Sequence, residues 1–279
     1  MKCQTAVVYE RNVEGRLLTF GNTREFIDRT MVLYDVETRS QWNQATGIAV
    51  LGHFTGTELR TLAASTTSLG AWLATYPNSG VLAPTTQLAR AQRVRMWDPD
   101  EADAMLLLVR AGGATRAYPL DRFPEDGLIH DVLGDEPIAI LFGRQPKVLA
   151  AYSRRIGEEV VEFDPRSVPE DIELRERSGP RRWSAISGRS RPLRSARPLR
   201  PLASMPIDRI GFEVNFRGVS VFGGRLPPRE RLMGDRRALE SHPADPIDPA
   251  NATKPRGAPD AGDGAPKDAD DDDDERAGG

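Results

Sequence analysis

Short apolar runs broken by turn residues dominate the chain, and they predict strands rather than helices. Residues 5–10 (Thr-Ala-Val-Val-Tyr-Glu) and 16–20 (Arg-Leu-Leu-Thr-Phe) flank Asn-Val-Glu-Gly, a combination typical of a hairpin. Residues 30–36 alternate between two faces with period two, and residues 48–51 form a further β-prone run. The pattern therefore predicts a small sheet near the N-terminus.

One helix is predicted after this sheet, over residues 68–76. Ser68 is a favourable N-cap, and Leu69, Trp72 and Tyr76 recur at helical spacing on one face. The following Pro-Asn-Ser-Gly ends the helix.

The same pattern returns about 140 residues later, which predicts an internal duplication. The offset falls from 143 to 140 along the chain, and the matched pairs are Tyr9 with Tyr152, Phe20 with Phe163, Trp42 with Trp183, Gly47 with Gly188, Trp72 with Phe212 and Tyr76 with Phe216. Aromatic residues make up only 6% of the chain, so these matches argue against coincidence. We interpret the repeat as two half-domains that pack together, with a second helix from about Pro206 to Phe216.

A segment with its own strand signals separates the two copies. Residues 104–110 and 115–118 flank Gly112-Gly113 as a hairpin would, and residues 138–142 form an apolar run that leads into the second copy. The first copy has no such lead-in after Met1. We therefore expect a matching strand-rich segment upstream, lost through truncation or a misassigned start.

Charge is distributed unevenly along the chain. The formal net charge is −3, from 41 acidic and 38 basic residues. Residues 235–279 carry 13 of the acidic and 6 of the basic residues, so the preceding body is mildly basic and the tail is acidic. From about residue 226 the chain is rich in Pro, Ala, Gly and Asp, a composition that predicts disorder.

Common catalytic and metal-binding motifs are missing from the sequence. Cys3 is the single cysteine, and His53, His130 and His242 are isolated, so no metal site is predicted unless an upstream cysteine joins Cys3. The chain contains no Gly-x-Ser-x-Gly elbow and no phosphate-binding glycine loop. We expect no cofactor, and whether the protein is an enzyme stays open.

Polar residues within the aromatic motifs are the candidate ligand-binding residues. Tryptophan and tyrosine beside arginine, glutamine and aspartate can line a pocket that stacks against a small ligand and hydrogen-bonds it. The candidates are Arg11, Trp42, Gln44, Arg116, Tyr118, His130 and Asp131. The structural alternative is that Trp42 and Tyr118 belong to the core and that the polar groups cap turns.

An arginine-rich stretch offers a different hypothesis. Residues 177–237 contain fifteen arginines against four acidic residues, and several guanidinium groups together can bind phosphates. The same stretch can instead be a solvated surface or be neutralised by the acidic tail. We favour the latter, so nucleic-acid binding is the weaker hypothesis.

Several segments together resemble a known prokaryotic family, domain-of-unknown-function family 3179. The resemblance spans residues 3–224 and is carried by Thr5-Ala-Val-Val-Tyr-Glu-Arg, Leu18-Thr-Phe-Gly, Val32-Leu-Tyr-Asp, Glu37-Thr-Arg-Ser-Gln-Trp-Asn-Gln-Ala-Thr-Gly, Arg116-Ala-Tyr-Pro and His130-Asp-Val-Leu-Gly. It implies two halves, each introduced by a strand-rich lead-in, and a Cys-x-x-Cys-like stretch before the first strand, of which only Cys3 is present. It also implies that relatives are often extracytoplasmic or lipid-anchored, and it supplies no established activity.

The sequence thus predicts a mainly β protein with a few short helices, built from two pseudo-repeated halves and followed by a disordered acidic tail. The predicted divisions are a first half over 1–97, a lead-in with a degenerate second half over 98–225, and a tail over 226–279. No run of 18 apolar residues predicts a membrane span. The leading functional hypothesis is a noncatalytic binding or scaffold module. The alternatives are an enzyme with a site between the halves and a polyanion binder acting through 177–237.

Overall fold

The computed structural model describes residues 5–80, 105–143, 148–164, 173–192, 196–224 and 226. Within these residues the fold is mainly β, with several sheets and two short helices, as the sequence predicts. The predicted tail lies outside the described residues except for Leu226, and so does Cys3. Within the described part there is no helix with the length and apolar character that crossing a membrane requires.

We call residues 5–80 the first copy, 105–143 the connecting segment and 148–224 the second copy. The first copy contains β1 (Asn12–Val13), β2 (Arg16–Leu17), β3 (Phe20–Ile27), β4 (Thr30–Asp35), β5 (Gln41–Asn43), β6 (Ala49–Leu51), β7 (Thr66–Thr67) and α1 (Leu69–Thr75). The connecting segment contains β8 (Met105–Ala111), β9 (Ala114–Pro119), a 3-10 turn (Leu120–Arg122), β10 (Leu128–Leu133) and β11 (Glu136–Gly143). The second copy contains β12 (Val148–Ser153), β13 (Arg155–Ile156), β14 (Glu159–Val160), β15 (Phe163–Asp164), β16 (Glu173–Glu176), β17 (Arg182–Ser184), β18 (Ala203–Asp208), α2 (Arg209–Asn215) and β19 (Ser220–Val221).

The structure differs from the sequence prediction at two places. Residues 5–10 contribute only an isolated bridge between Tyr9 and Thr61, and the hairpin is the shorter pair β1–β2. The second helix begins at Arg209 because the preceding residues form β18, and Asp208 caps the helix by accepting a hydrogen bond from the amide of Gly211 at 2.6 Å.

Two four-stranded sheets form the centre of the body. Their strand orders are β10-β11-β12-β7 and β18-β8-β9-β19, and all neighbours are antiparallel except β9 and β19. Side chains of both sheets meet in one apolar cluster, with Leu107 and Tyr118 from one sheet and Ile140 and Leu149 from the other. This shared cluster is the principal core.

The outer faces of both central sheets are also buried, which explains their nearly continuous apolar sequences. Leu106 and Leu108 alternate with Leu107 along β8 and pack outward against Phe212 of α2. On the other sheet, Leu141 and its outward neighbours pack against the second copy. Each sheet is therefore covered on both faces.

The two copies surround their tryptophans in the same way. Trp42 lies on β5 of the sheet β3-β4-β5-β6, and Trp183 lies on β17 of the sheet β15-β16-β17. Trp42 meets Phe20 edge-on with ring centres 5.8 Å apart, and Trp183 meets Phe163 edge-on at 5.7 Å. Both indoles are fully buried.

A glycine and a tyrosine recur beside each tryptophan. Gly47 and Gly188 both have positive φ, +73° and +67°. A Cβ at either position would lie 2.8 Å from a ring carbon, of Tyr9 in the first case and of Tyr152 in the second. Only glycine satisfies both the backbone conformation and the close ring at these sites.

The copies meet each other through equivalent residues. Ala63 and Ala203, which are 140 positions apart, form an antiparallel bridge, and the hydroxyl of Ser204 donates to the carbonyl of Ala64 at 3.0 Å. Contact between the same position of two related units marks a two-fold relation between them. We refer to this contact as the copy junction.

Candidate binding site

Three of the predicted site residues form one cluster across β9 and β10. A guanidinium nitrogen of Arg116 lies 2.6 Å from Oδ2 of Asp131, and the hydroxyl of Tyr118 donates to the same oxygen at 2.8 Å. Oδ1 of Asp131 accepts from the amide of Val132 at 2.8 Å. Burial, and then the bond to Asp131, raise the pKa of Tyr118. Oδ2 of Asp131 thus joins β10 to β9, and Oδ1 is engaged by the backbone of β10 itself.

His130 lies on the opposite side of β10 from Asp131, because neighbouring residues of a strand point to opposite faces. Its Nε2 accepts from the amide of Phe163 at 3.4 Å, and its ring lies 5.9 Å from the Phe163 ring. Burial, followed by the positive charge of Arg154, lowers the pKa of His130 from 6.5 to about 4. The imidazole is a neutral acceptor at pH 7, and it does not join Asp131 in a catalytic pair.

Arg11 and Trp42 hold the first copy together. A guanidinium nitrogen of Arg11 donates to the carbonyl of Leu18 at 3.2 Å, across the β1–β2 hairpin. Nε1 of Trp42 donates to the buried carboxylate of Asp35 at 2.9 Å. Burial alone would raise the pKa of Asp35, but hydrogen bonds from Trp42 and Thr38 outweigh it and lower the pKa.

Gln44 is the one predicted site residue that lines a cavity described in the structure. Its buried Oε1 has no hydrogen-bond partner among the described residues. The cavity has a volume of about 250 Å³ and lies at the copy junction, where it is lined by 6–8, Gln44, 64–66, Leu107, Leu149, Ser204 and Pro206. We call it the junction cavity.

A second, larger cavity adjoins the junction cavity on the other side of residues 64–65. Its volume is about 330 Å³, and its walls are 63–65, Trp72 of α1, Tyr76 at the C-cap of α1, 150–152, 186–187 and Pro201. We call it the aromatic groove. It is open to solvent along α1, where 38% of the Trp72 surface is exposed. The groove is mainly apolar, and it combines residues from both copies.

One cation lies against an aromatic residue that lines the groove. The guanidinium of Arg189 stands 5.9 Å from the centre of the Tyr76 ring, close enough for a cation–π contact. Two polar groups of the wall are engaged: the hydroxyl of Ser65 donates to the carbonyl of Ile186 at 3.1 Å, and that of Tyr152 donates to Ala185 at 3.1 Å. The groove thus offers aromatic surface with a positive charge against one of its rings.

Sequence reasoning missed the aromatic groove. The sequence predicts Trp72 and Tyr76 on one face of a helix, but it does not indicate what that face contacts. The other walls come from positions up to 125 residues away, between Tyr76 and Pro201, and no local pattern connects them. The available signal is the duplication, because the repeat places Trp72 and Tyr76, which carry polar groups, at the positions of Phe212 and Phe216.

Many described arginines of the basic stretch form ion pairs with carboxylates of the body. Arg181 contacts Glu159 and Glu176, Arg200 contacts Glu136, and Arg209 contacts Glu213. Carboxylates of the body thus offset the charges of these arginines without any contribution from the tail. Within the described residues, no group of three or more potential ligands could hold a metal ion.

The N-terminal part of the chain matches a known protein family. Residues 2–100 match the model of a family described as protein of unknown function (DUF3179). This match supports membership of the domain family over residues 2–100. The match covers the first copy and ends before the connecting segment, so it supports the earliest part of the resemblance noted above. No curated protein and no solved structure matches the chain.

Proposed function

We propose that this protein is a noncatalytic binding module whose ligand occupies the aromatic groove. The observation that carries the proposal is a groove of about 330 Å³ with two aromatic side chains of α1 along its open side. Ligand sites are typically concave and apolar, with a few polar or charged groups that orient the ligand. Arg189 is the charged group in this position.

The placement of the ionisable candidates supports binding over catalysis. Asp131 is engaged by Arg116 and Tyr118, and His130 faces the other side of its strand. Neither residue lines the aromatic groove or the junction cavity. A general acid or base must reach the substrate, and these two groups point into the protein's own contacts.

The ion pairs of the described arginines argue against a polyanion binder. Counterion release requires guanidinium groups that are available to phosphates. Arg181 already contacts two carboxylates, and Arg191 lies 3.7 Å from Glu173. Binding through residues 177–224 would therefore compete with existing contacts.

The test uses anilinonaphthalene sulfonate, a dye with an apolar ring system and one anionic group. The full chain at pH 7 should bind it saturably with a stoichiometry near one. Ser187→Trp places an indole in the groove and should weaken binding at least about tenfold, a loss of about 1.4 kcal/mol. Trp72→Ala removes one wall and should weaken binding about threefold.

The matched control is Leu51→Ala, because Leu51 is 59% exposed and lies on β6 of the first copy, outside the groove lining. It should leave the affinity for the dye unchanged. Circular dichroism and thermal melts establish that each variant is folded. Equal dye affinity in folded Ser187→Trp and in the unmodified chain would overturn the proposed function.

A further inference from the structure

The aromatic groove has an equivalent in the other copy, built from the same positions. Six lining positions of the aromatic groove are 63–65, Ala150, Ile186 and Pro201. The equivalent six are 203–205, Val7, Ala45 and Thr61, and they line a second pocket. The offsets between the two sets are 140 to 143, the same as those of the sequence repeat.

The equivalent groove is filled by a strand. Leu108 and Arg110 of β8 complete the lining of the second pocket, which has a volume of only about 10 Å³. β8 pairs with β18 there, placing Leu108 opposite Met205 and Arg110 opposite Ala203. The aromatic groove has no described strand at this place, and its volume is about 330 Å³.

The helices show the same difference. Phe212 and Phe216 of α2 are 5% and 8% exposed and pack with Leu106 and Leu108 of β8. Their equivalents on α1 are Trp72 and Tyr76, and α1 has no buried residue. Among the described residues, no leucines cover the aromatic face of α1 as Leu106 and Leu108 cover that of α2.

The backbone direction of the groove wall suits strand pairing. The amide of Leu202 donates to Ala151 of β12 at 2.9 Å, so Ala203 and Met205 direct their backbone groups the opposite way, toward β8. In the first copy, the amide of Leu62 donates to Val8 at 2.8 Å. By the same alternation, Ala63 and Ser65 direct their backbone groups away from Val8, as their equivalents do toward β8.

We propose that the aromatic groove accepts one extended, apolar β-strand of a partner polypeptide, with aliphatic residues at alternate positions like Leu106 and Leu108. This inference rests on the proposed binding function and names its ligand class. The partner strand adds to residues 63–65 by main-chain hydrogen bonds, and its aliphatic side chains cover Trp72 and Tyr76. Strand addition of this kind draws affinity from the backbone and specificity from alternate side chains.

Charge distinguishes the partner strand from β8. Arg110 of β8 pairs with Glu58, whose equivalent in the second copy is Pro198. At the aromatic groove, Arg189 lies against the ring of Tyr76. A neutral or acidic residue therefore suits the position equivalent to Arg110, because a basic residue would face a like charge without an acidic partner.

The test uses a synthetic peptide with the sequence of residues 105–111, the substitution Arg110→Gln, two added glutamates at each end and a fluorescent label. Fluorescence anisotropy with the full chain should show saturable binding. Ser187→Trp and Trp72→Ala should weaken it at least about tenfold and about threefold, and Leu51→Ala should leave it unchanged.

Two N-methylated peptides of identical composition test the strand geometry. In β8, the backbone of Leu108 faces β18, and that of Leu107 faces β9. N-methylation at Leu108 should therefore weaken binding at least about tenfold, because it removes a main-chain donor to the groove. N-methylation at Leu107 should have little effect.

Three results would overturn this inference, and they separate it from the proposed function. Binding of the dye without binding of the unmodified peptide would leave a groove for small ligands only. Equal affinities of the two N-methylated peptides would leave apolar binding without strand pairing. The protein without peptide could sediment as a dimer that dissociates when the peptide is added. That result would assign the groove to a second copy of this chain.

Discussion

Trp42 and Trp183 occupy matching positions in the two copies, yet their indole nitrogens have different partners. Trp42 donates to the side-chain carboxylate of Asp35 at 2.9 Å, and Trp183 donates to the main-chain carbonyl of Arg197 at 2.8 Å. A buried N–H requires an acceptor, but its chemical nature is free to change. The comparison teaches that packing of the rings, rather than one polar contact, is what the two copies share.

The apolar clusters around the two tryptophans also differ in how far they extend into the rest of the protein. The cluster around Trp42 contains only residues of the first copy, such as Phe54 and Leu59. The cluster around Trp183 includes Ala139 and Leu141 of β11, which belong to the central sheet. The second copy is therefore joined to the core more directly than the first.

The largest expected effect comes from removing each indole. Trp42→Ala and Trp183→Ala should each lower the free energy of unfolding by about 4 kcal/mol, because each leaves a large cavity. Hydrogen exchange measured by mass spectrometry should rise within residues 13–59 for Trp42→Ala, and in β11 and β12 as well for Trp183→Ala. If both variants showed raised exchange in the same residues, the proposed difference in the extent of the two apolar clusters would be contradicted.

The two helices should respond unequally to loss of an aromatic ring. Phe212→Ala should destabilise the protein by about 3 kcal/mol, because Phe212 is 5% exposed in an apolar cluster. Trp72→Ala at the equivalent position should cost less than about 1 kcal/mol, since Trp72 is 38% exposed. Urea denaturation of both variants measures this, and equal losses would show that the face of α1 is covered.

Loss of the carboxylate partner should affect the first copy more than the second. Asp35→Ala leaves the buried indole N–H and the amide of Thr38 without their acceptor and should cost about 2 to 3 kcal/mol at pH 7. The pKa of Asp35 is lowered from 3.8, so its contribution is present above that pH and is lost as pH falls through the folded value.

Glu176 is the residue at the position equivalent to Asp35, and it serves as the comparison. It pairs with Arg181 and is 13% exposed, and it does not bond the indole. Glu176→Ala should cost about 1 kcal/mol. A loss equal to that of Asp35→Ala in urea denaturation at pH 7 would contradict the different roles of the two carboxylates.

The pH dependence of stability gives a further comparison, through His130, which contacts Phe163 of the second copy. Its folded pKa of about 4 lies below the ordinary 6.5, so the unfolded chain takes up a proton first as pH falls. Stability should therefore decline between pH 6.5 and 4, by about 2 kcal/mol.

His130→Gln should remove most of this decline, and His53→Gln should leave it intact, because His53 lies on the exposed surface of the first copy. The measurement is the midpoint of urea denaturation at pH 7 and pH 4.5. An unchanged pH dependence in His130→Gln would show that another group is responsible.

The strand pattern, the N-cap at Ser68 and the repeat were readable in the sequence, because each depends on residues close together or on matched spacing. The start of α2 was displaced because Pro206 lies in β18, an edge strand where its missing N–H is tolerated. Of the predicted site residues, Arg116, Tyr118 and Asp131 do contact one another, but their hydrogen bonds join β9 to β10. Gln44 reaches a cavity, and Arg11, Trp42 and His130 serve internal contacts.

The sequence by itself determined the mainly β class, the duplicated unit and the aromatic residues that the two copies bury, since periodicity and spacing are local properties of a chain. Only the tertiary structure decided which aromatic faces are covered. The burial of Phe212 and the exposure of Trp72 depend on β8, a strand that pairs with β18 and has no described counterpart beside residues 63–65. Coverage is a property of strands that meet in space, and no single segment encodes it.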